Sequence, residues 1–171
     1  MRTSGGILMR SDNNIYFPFL AAPLATMAGW SIVFYSSVFI YEMLEKKWTQ
    51  LKTTNFLVIG LIISLIALFR DLQIDPVATN LGLWTWHEIL EPWYCGVPLV
   101  NFTAWLCAVF CFGASYTFII RTKMSNGKKI LAMFVMIPIL LFLSGKMNFT
   151  LVGLIEGFDG PTWKLYELIT K

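Results

Sequence analysis

The chain has 171 residues, 57% hydrophobic and 13% charged, with a net charge of +3 and a mean hydropathy of +0.66. A water-soluble domain of this size needs about 25% charged residues to cover its surface, so this composition excludes one unless lipid replaces water over most of the molecule. No basic run alternates with aromatics, which removes a nucleic-acid surface, and Cys95, Cys107 and Cys111 form no CxxC pair that would indicate a disulfide framework or a zinc site.

Residues 1–15 are polar and lack the apolar core of a signal peptide, so insertion is expected to rest on the membrane segments themselves. The first apolar run extends from Tyr16 to about Tyr41, long enough to cross a bilayer, which takes about 20 residues. Pro18 and Pro23 sit near its start, where a missing N–H does least harm. The second run covers Thr54 to Phe69 and is expected to continue to Ile74, with Arg70 and Asp71 at its interfacial end. The third spans Val100 to Ile120. The fourth runs from Ile130 to about Leu143, ending before Lys146, with Phe149–Ile155 as a possible extension. Cys107 and Cys111 lie one helical turn apart in the third run, where packing is the simpler reading.

These runs predict an all-α, polytopic transmembrane helix bundle of about four spans over residues 16–145. A Trp-, Pro- and Gly-rich interfacial loop occupies 75–98, and an interfacial C-terminal tail occupies 146–171. The 16% aromatic content, including seven Trp, suits rings collected at the membrane–water interfaces. Lys46, Lys47, Lys52, Arg121, Lys123, Lys128 and Lys129 are seven of the thirteen basic residues and fall in two short loops. The positive-inside rule makes those loops, 42–53 and 121–129, cytoplasmic. Loop 75–98 then faces the other side together with the N-terminus, although Arg2 and Arg10 fit that side less well. A bacterial inner membrane is the expected setting. Glu42 and Glu45 read as end-of-helix charges near Lys46 and Lys47.

The stretch from Asp71 to Trp105, DLQIDPVATNLGLWTWHEILEPWYCGVPLVNFTAW, differs from the Leu/Ile/Phe runs around it. Pro76, Gly82, Pro92, Gly96 and Pro98 predict a tightly turned loop. Its large rings favour folding back over the helix ends. Asp71 and Asp75 are four residues apart and would share a face of a continuing helix. Pro76 disfavours helical geometry at Asp75 and so places that carboxylate near the helix end. Ionisable groups at membrane depth mark function by default. The plainer reading is a solvated interfacial pair, with Asp71 held by Arg70. Asn101, at the start of the third run, reads locally as an N-cap. His87 reads as a hydrogen-bonded structural histidine, since one His without a partner motif makes a weak metal site. The Trp residues read as interface anchors whose faces can also stabilise a cation. The glycosylation sequons at Asn101 and Asn148 abut membrane segments and are discounted.

The same stretch resembles the signature of the carotenoid biosynthesis membrane-protein family typified by bisanhydrobacterioruberin hydratase and the carotenoid 1,2-hydratases. The matching pieces are Asp71 with Asp75-Pro76-Val77-Ala78, Gly82-Leu83-Trp84-Thr85-Trp86, Trp93-Tyr94-Cys95-Gly96-Val97-Pro98 and Asn101-Phe102-Thr103-Ala104-Trp105. Gly29-Trp30 upstream is also family-like. Against the family pattern, Cys95 is inserted before the glycine and Ala104 replaces a second glycine. The chain is also shorter than is usual there. The resemblance implies either a compact hydratase or a shortened relative that serves as a binding or assembly subunit.

If the chemistry is kept, the resemblance implies addition of water to a terminal isoprenoid double bond of an acyclic carotenoid, with no cofactor. A carboxylic acid in apolar surroundings can deliver the proton. Asp71 or Asp75 is the expected donor, the other orients the water, and Asn101 holds it. Trp84, Trp86, His87, Tyr94 and Trp105 are the expected substrate-binding residues. A carotenoid or other isoprenoid lipid is the expected partner. The competing reading is a non-catalytic carotenoid- or lipid-binding subunit of a larger photosynthetic or respiratory membrane complex. A third is a prenyl-diphosphate enzyme, because Asp-x-x-x-Asp can hold Mg²⁺ against a diphosphate. That reading lacks a second acidic motif and has only Arg70 as a neighbouring base.

Overall fold

A computed structural model describes Ile7–Leu8 and residues 24–170 apart from Trp84. Four long helices follow one another: α1 (Leu24–Lys47), α2 (Phe56–Asn80), α3 (Leu99–Ile120) and α4 (Asn126–Glu156). A short α5 (Pro161–Thr170) closes the chain, and a 3-10 helix over Thr49–Thr53 joins α1 to α2. Each long helix is apolar and long enough to cross a membrane, so the protein is an integral membrane helix bundle.

The centre of the bundle is the α2–α3 pair. Asn55 caps α2, its side-chain oxygen accepting the Leu57 N–H at 2.8 Å. The buried face of α2 then reads Ile59, Gly60, Ile63, Ser64, Ala67, Asp71, Asp75 and Ala78, the three- and four-residue spacing of one helical stripe. Its small members let the backbones approach closely. A Cβ placed on Gly60 would lie 2.7 Å from the Ala114 Cβ, and one on Gly113 would lie 3.4 Å from Ile63. Lipid tails offer no hydrophobic preference for helix over lipid, so such close contact is a main source of helix association. Val33 and Tyr41 of α1 complete a core with Ile59, Ile63, Ala67, Trp105 and Val109.

Helix α1 runs parallel to α3, with ring contacts at Trp30–Trp105 and Phe34–Phe112 and a hydrogen bond at Glu42–Tyr116. This topology brings the two basic loops to one end of the bundle. There Arg121 pairs with Glu45 at 3.3 Å and donates to the Thr54 carbonyl at 2.6 Å. Lys129, half-buried, donates to the Ile120 carbonyl at 2.7 Å.

Two helices run further than the sequence suggested. Helix α2 does not end at Ile74 but continues through Asp75 and Pro76 to Asn80. Helix α4 passes Lys146 and absorbs Phe149–Ile155, reaching Glu156. Proline inside a helix removes one donor, yet membrane helices tolerate it because neighbouring groups take up the freed backbone. Pro76 and Pro138 both lie inside such helices.

The connection from α2 to α3 contains short paired strands. β1 (Ile7–Leu8) pairs antiparallel with β2 (Thr85–Trp86), and β3 (Pro92–Tyr94) pairs with β4 (Val97–Pro98). Cys95 and Gly96 form the two-residue turn of the second hairpin, with φ of 46° and 85°. Positive φ at both central residues is what a tight hairpin turn requires. The hairpin rests on the helix ends. Val97 is fully buried, and the Trp93 and Tyr94 rings flank Phe102 at 5.6 and 6.1 Å.

Candidate functional site

Beneath the hairpin, α2 and α3 bring three polar side chains together. Asp71 and Asp75 sit one turn apart on α2 and are only 2% and 5% exposed, turned into the bundle and away from solvent. Asn101, in the first turn of α3, faces both. Its amide nitrogen donates to Asp71 Oδ2 at 3.1 Å and to Asp75 Oδ2 at 2.5 Å. An amide NH₂ carries two hydrogens, so one group can serve both carboxyls. The two carboxyls lie next to each other, and Trp105 adjoins Asp75.

Asn101 is therefore not the helix cap that its position suggested. The N-cap is Pro98, in extended conformation at φ −75° and ψ 155°, which sets Asn101 three residues into the helix. Nor does Arg70 hold Asp71. Among the described residues it makes neither an ion pair nor a hydrogen bond with either aspartate.

Trp105 is buried, and its ring meets that of Trp30 at 4.6 Å with a 37° tilt. The site thus has an aromatic wall from two helices. Trp30 was not among the residues expected to bind substrate. Its one signal in the sequence was the family-like Gly29-Trp30 pair, 75 residues before its ring partner.

The other expected residues lie around this centre. Trp84 falls outside the described residues. Trp86 is half-buried and donates from its indole nitrogen to Thr79 Oγ1 at 3.2 Å, which ties the loop to the last turns of α2. His87 accepts the Ile89 N–H through Nδ1 at 3.2 Å, a local turn bond. Tyr94 is 44% exposed and packs on Phe102. No group of three or more His, Cys, Asp or Glu side chains suited to a metal ion occurs among the described residues. Cys107 and Cys111 are buried on α3, with Cys111 Sγ 3.5 Å from the Met147 sulfur, as packing residues would be.

The arrangement can hold a proton between two acids, position a small polar molecule beside an amide, and face a cation with indole rings. No curated protein and no solved structure matches the chain. The family profile described as carotenoid biosynthesis protein does match, over residues 18–159, which takes in the four long helices, the hairpin and the whole carboxyl–amide cluster. With that match covering most of its length, the chain belongs to the carotenoid biosynthesis protein family.

Proposed function

We propose that the protein adds water to a terminal carbon–carbon double bond of an acyclic carotenoid. The observation that carries this reading is the pair of buried carboxyls, Asp71 and Asp75, bridged by the Asn101 amide beside the Trp30–Trp105 rings. Two carboxyls buried one helical turn apart disfavour being ionised together, which supports one proton shared by the pair. That proton goes to the less substituted alkene carbon, leaving a tertiary carbocation. Indole faces stabilise the cation. Water, held by the Asn101 amide, attacks the cation, and its spare proton returns to the carboxylate. Atoms and charge balance, and the acid pair is restored for the next turnover.

By the positive-inside bias, the end carrying Arg121 and Lys129 is cytoplasmic, and the acid pair lies toward the opposite face of a bacterial inner membrane. The Mg²⁺–diphosphate reading has less support. The Asn101 amide already engages one oxygen of each carboxyl, and no basic residue pairs with either aspartate among the described residues. A non-catalytic subunit role draws on one feature, the first half of α4. Ile130, Leu131, Phe134 and Val135 are 62–72% exposed there and would suit a partner helix.

The test is pigment chromatography of carotenoid-producing cells that express the wild type, Asp71→Asn or Asp75→Asn. Hydroxylated carotenoid with the wild type and its loss in both variants is the expected result. Hydroxylated product at the normal rate in both variants overturns the proposal. An unchanged profile on adding the wild type would instead favour the subunit role.

A further inference from the structure

A groove of about 370 Å³ lies between α1, α3 and α4 and ends toward the basic loops, lined by Ser31, Phe34, Val38, Glu42, Phe112 and Tyr116 among others. From Ser31 to Glu42 it follows eleven residues of α1, about 16 Å at 1.5 Å per residue. The hydrocarbon of a bilayer is about 30 Å thick, so one leaflet is about 15 Å deep. The groove therefore has the length of a single lipid tail that reaches from the interface to the midplane. Tyr35 and Phe39 form its lip and are 74% and 48% exposed, so it opens sideways into the lipid.

Most of the lining is apolar, but the interfacial end is not. Glu42 is half-buried there, and its Oε1 accepts the Tyr116 hydroxyl at 3.2 Å. Oε2 has no hydrogen-bond partner among the described residues. Lys46 stands four residues on, one turn nearer the water and on the same face of α1. It is exposed, and among the described residues neither it nor Glu42 joins an ion pair. The two side chains thus offer an anion at the mouth of the groove and a cation just outside it, the complement of a zwitterion. A partly buried carboxylate without a cation is costly, which favours a head group that brings a charged N–H to it. The long stem of Lys46 lets its ammonium rise to the phosphate level.

We propose that this groove binds one phosphatidylethanolamine molecule of the leaflet at the basic-loop end, cytoplasmic by the positive-inside bias. One acyl tail lies along Phe34, Val38 and Phe112, the primary ammonium donates to Glu42 Oε2, and the phosphate meets Lys46. The second tail stays in the bilayer. Phosphatidylcholine has the positive charge but no N–H to give. Phosphatidylglycerol has hydroxyls but a net negative charge that Glu42 repels, so the site tells the three heads apart. The proposal is independent of the hydration reading, because the groove lining includes neither Asp71 nor Asp75. The bound lipid fills the gap that the groove leaves between α1 and α4.

The test uses the full chain in nanodiscs of equal parts phosphatidylethanolamine, phosphatidylcholine and phosphatidylglycerol with identical tails. Native mass spectrometry of the released protein then reads which lipids stay bound. One retained lipid per chain is expected, with phosphatidylethanolamine enriched about tenfold over phosphatidylcholine, the contribution of one hydrogen bond to a charged group. Glu42→Gln keeps the size of the side chain and an acceptor for Tyr116, and should bring the three lipids to parity. Val38→Trp, which plugs the groove midway, should remove the retained lipid, and Val38→Phe serves as a smaller plug if the larger one prevents folding. Parity in the wild type, enrichment of phosphatidylglycerol, or a preference that survives Glu42→Gln overturns the proposal. Retention that is unchanged in the plugged variants overturns it as well.

Discussion

The two ends of the bundle handle charge in opposite ways. At the end with the basic loops, Glu45 meets Arg121 at 3.3 Å, both side chains are about one-third exposed, and Arg121 also donates to the Thr54 and Leu51 carbonyls. Opposite charges are paired, water is near, and the arrangement ties three chain segments together. At the other end two groups of the same kind, Asp71 and Asp75, are buried side by side with an amide and an indole for company and no cation among the described residues. Stability alone would not choose this second arrangement, since burying like groups together is unfavourable. The contrast separates a clasp from the proposed reaction centre.

Substitutions can break or sharpen that contrast. The largest effect is expected at the acid pair: Asp75→Asn keeps the shape and the Asn101 contact but should lower carotenoid hydroxylation about 10²-fold or more, read by pigment chromatography. Gly60→Val pushes a side chain into Ala114 and should destabilise the bundle by about 1–3 kcal/mol, read by unfolding in detergent micelles, with hydroxylation lost as α2 and α3 move apart. Asn101→Leu strips both carboxyls of their common donor, with a similar stability loss of about 1–3 kcal/mol. At the clasp, Glu45→Gln should change stability by no more than about 1 kcal/mol and leave the pigment profile as it was. A large loss of hydroxylation there would erase the distinction between the ends. The smallest effect is expected in the hairpin. Cys95→Asn, a residue more at ease with positive φ, should stabilise by about 0.5 kcal/mol without altering the product.

The spans were legible because lipid imposes long apolar runs, and the third, predicted from Val100 to Ile120, is observed from Leu99 to Ile120. The errors came from reading membrane helices by soluble rules. Pro76 looked like a stop, and the fourth run was ended before Lys146 with Phe149–Ile155 left as an extension, yet both residues lie within helices. In the site, the spacing of Asp71 and Asp75 suggested a shared face, and the structure places both carboxyls on the inner stripe of α2. The local reading of Asn101 as a cap failed because a helix-start asparagine has a ready local role. Its actual partners lie 26 and 30 residues away, in another helix. The Trp30–Trp105 contact left little trace in the sequence for the same reason: local pattern carries no information about which faces of distant helices meet.

The Gly60–Ala114 contact has a reach beyond its own position. With almost no side chain between the two backbones, these helices have little slack along their length. A slip of a single residue would turn one of them by about 100° and shift it by about 1.5 Å. The acid pair and its amide, eleven to fifteen residues up α2 and thirteen residues back along α3, would then miss one another altogether. This glycine acts as a datum, like the zero mark on a vernier, against which the two carboxyls and the amide are lined up.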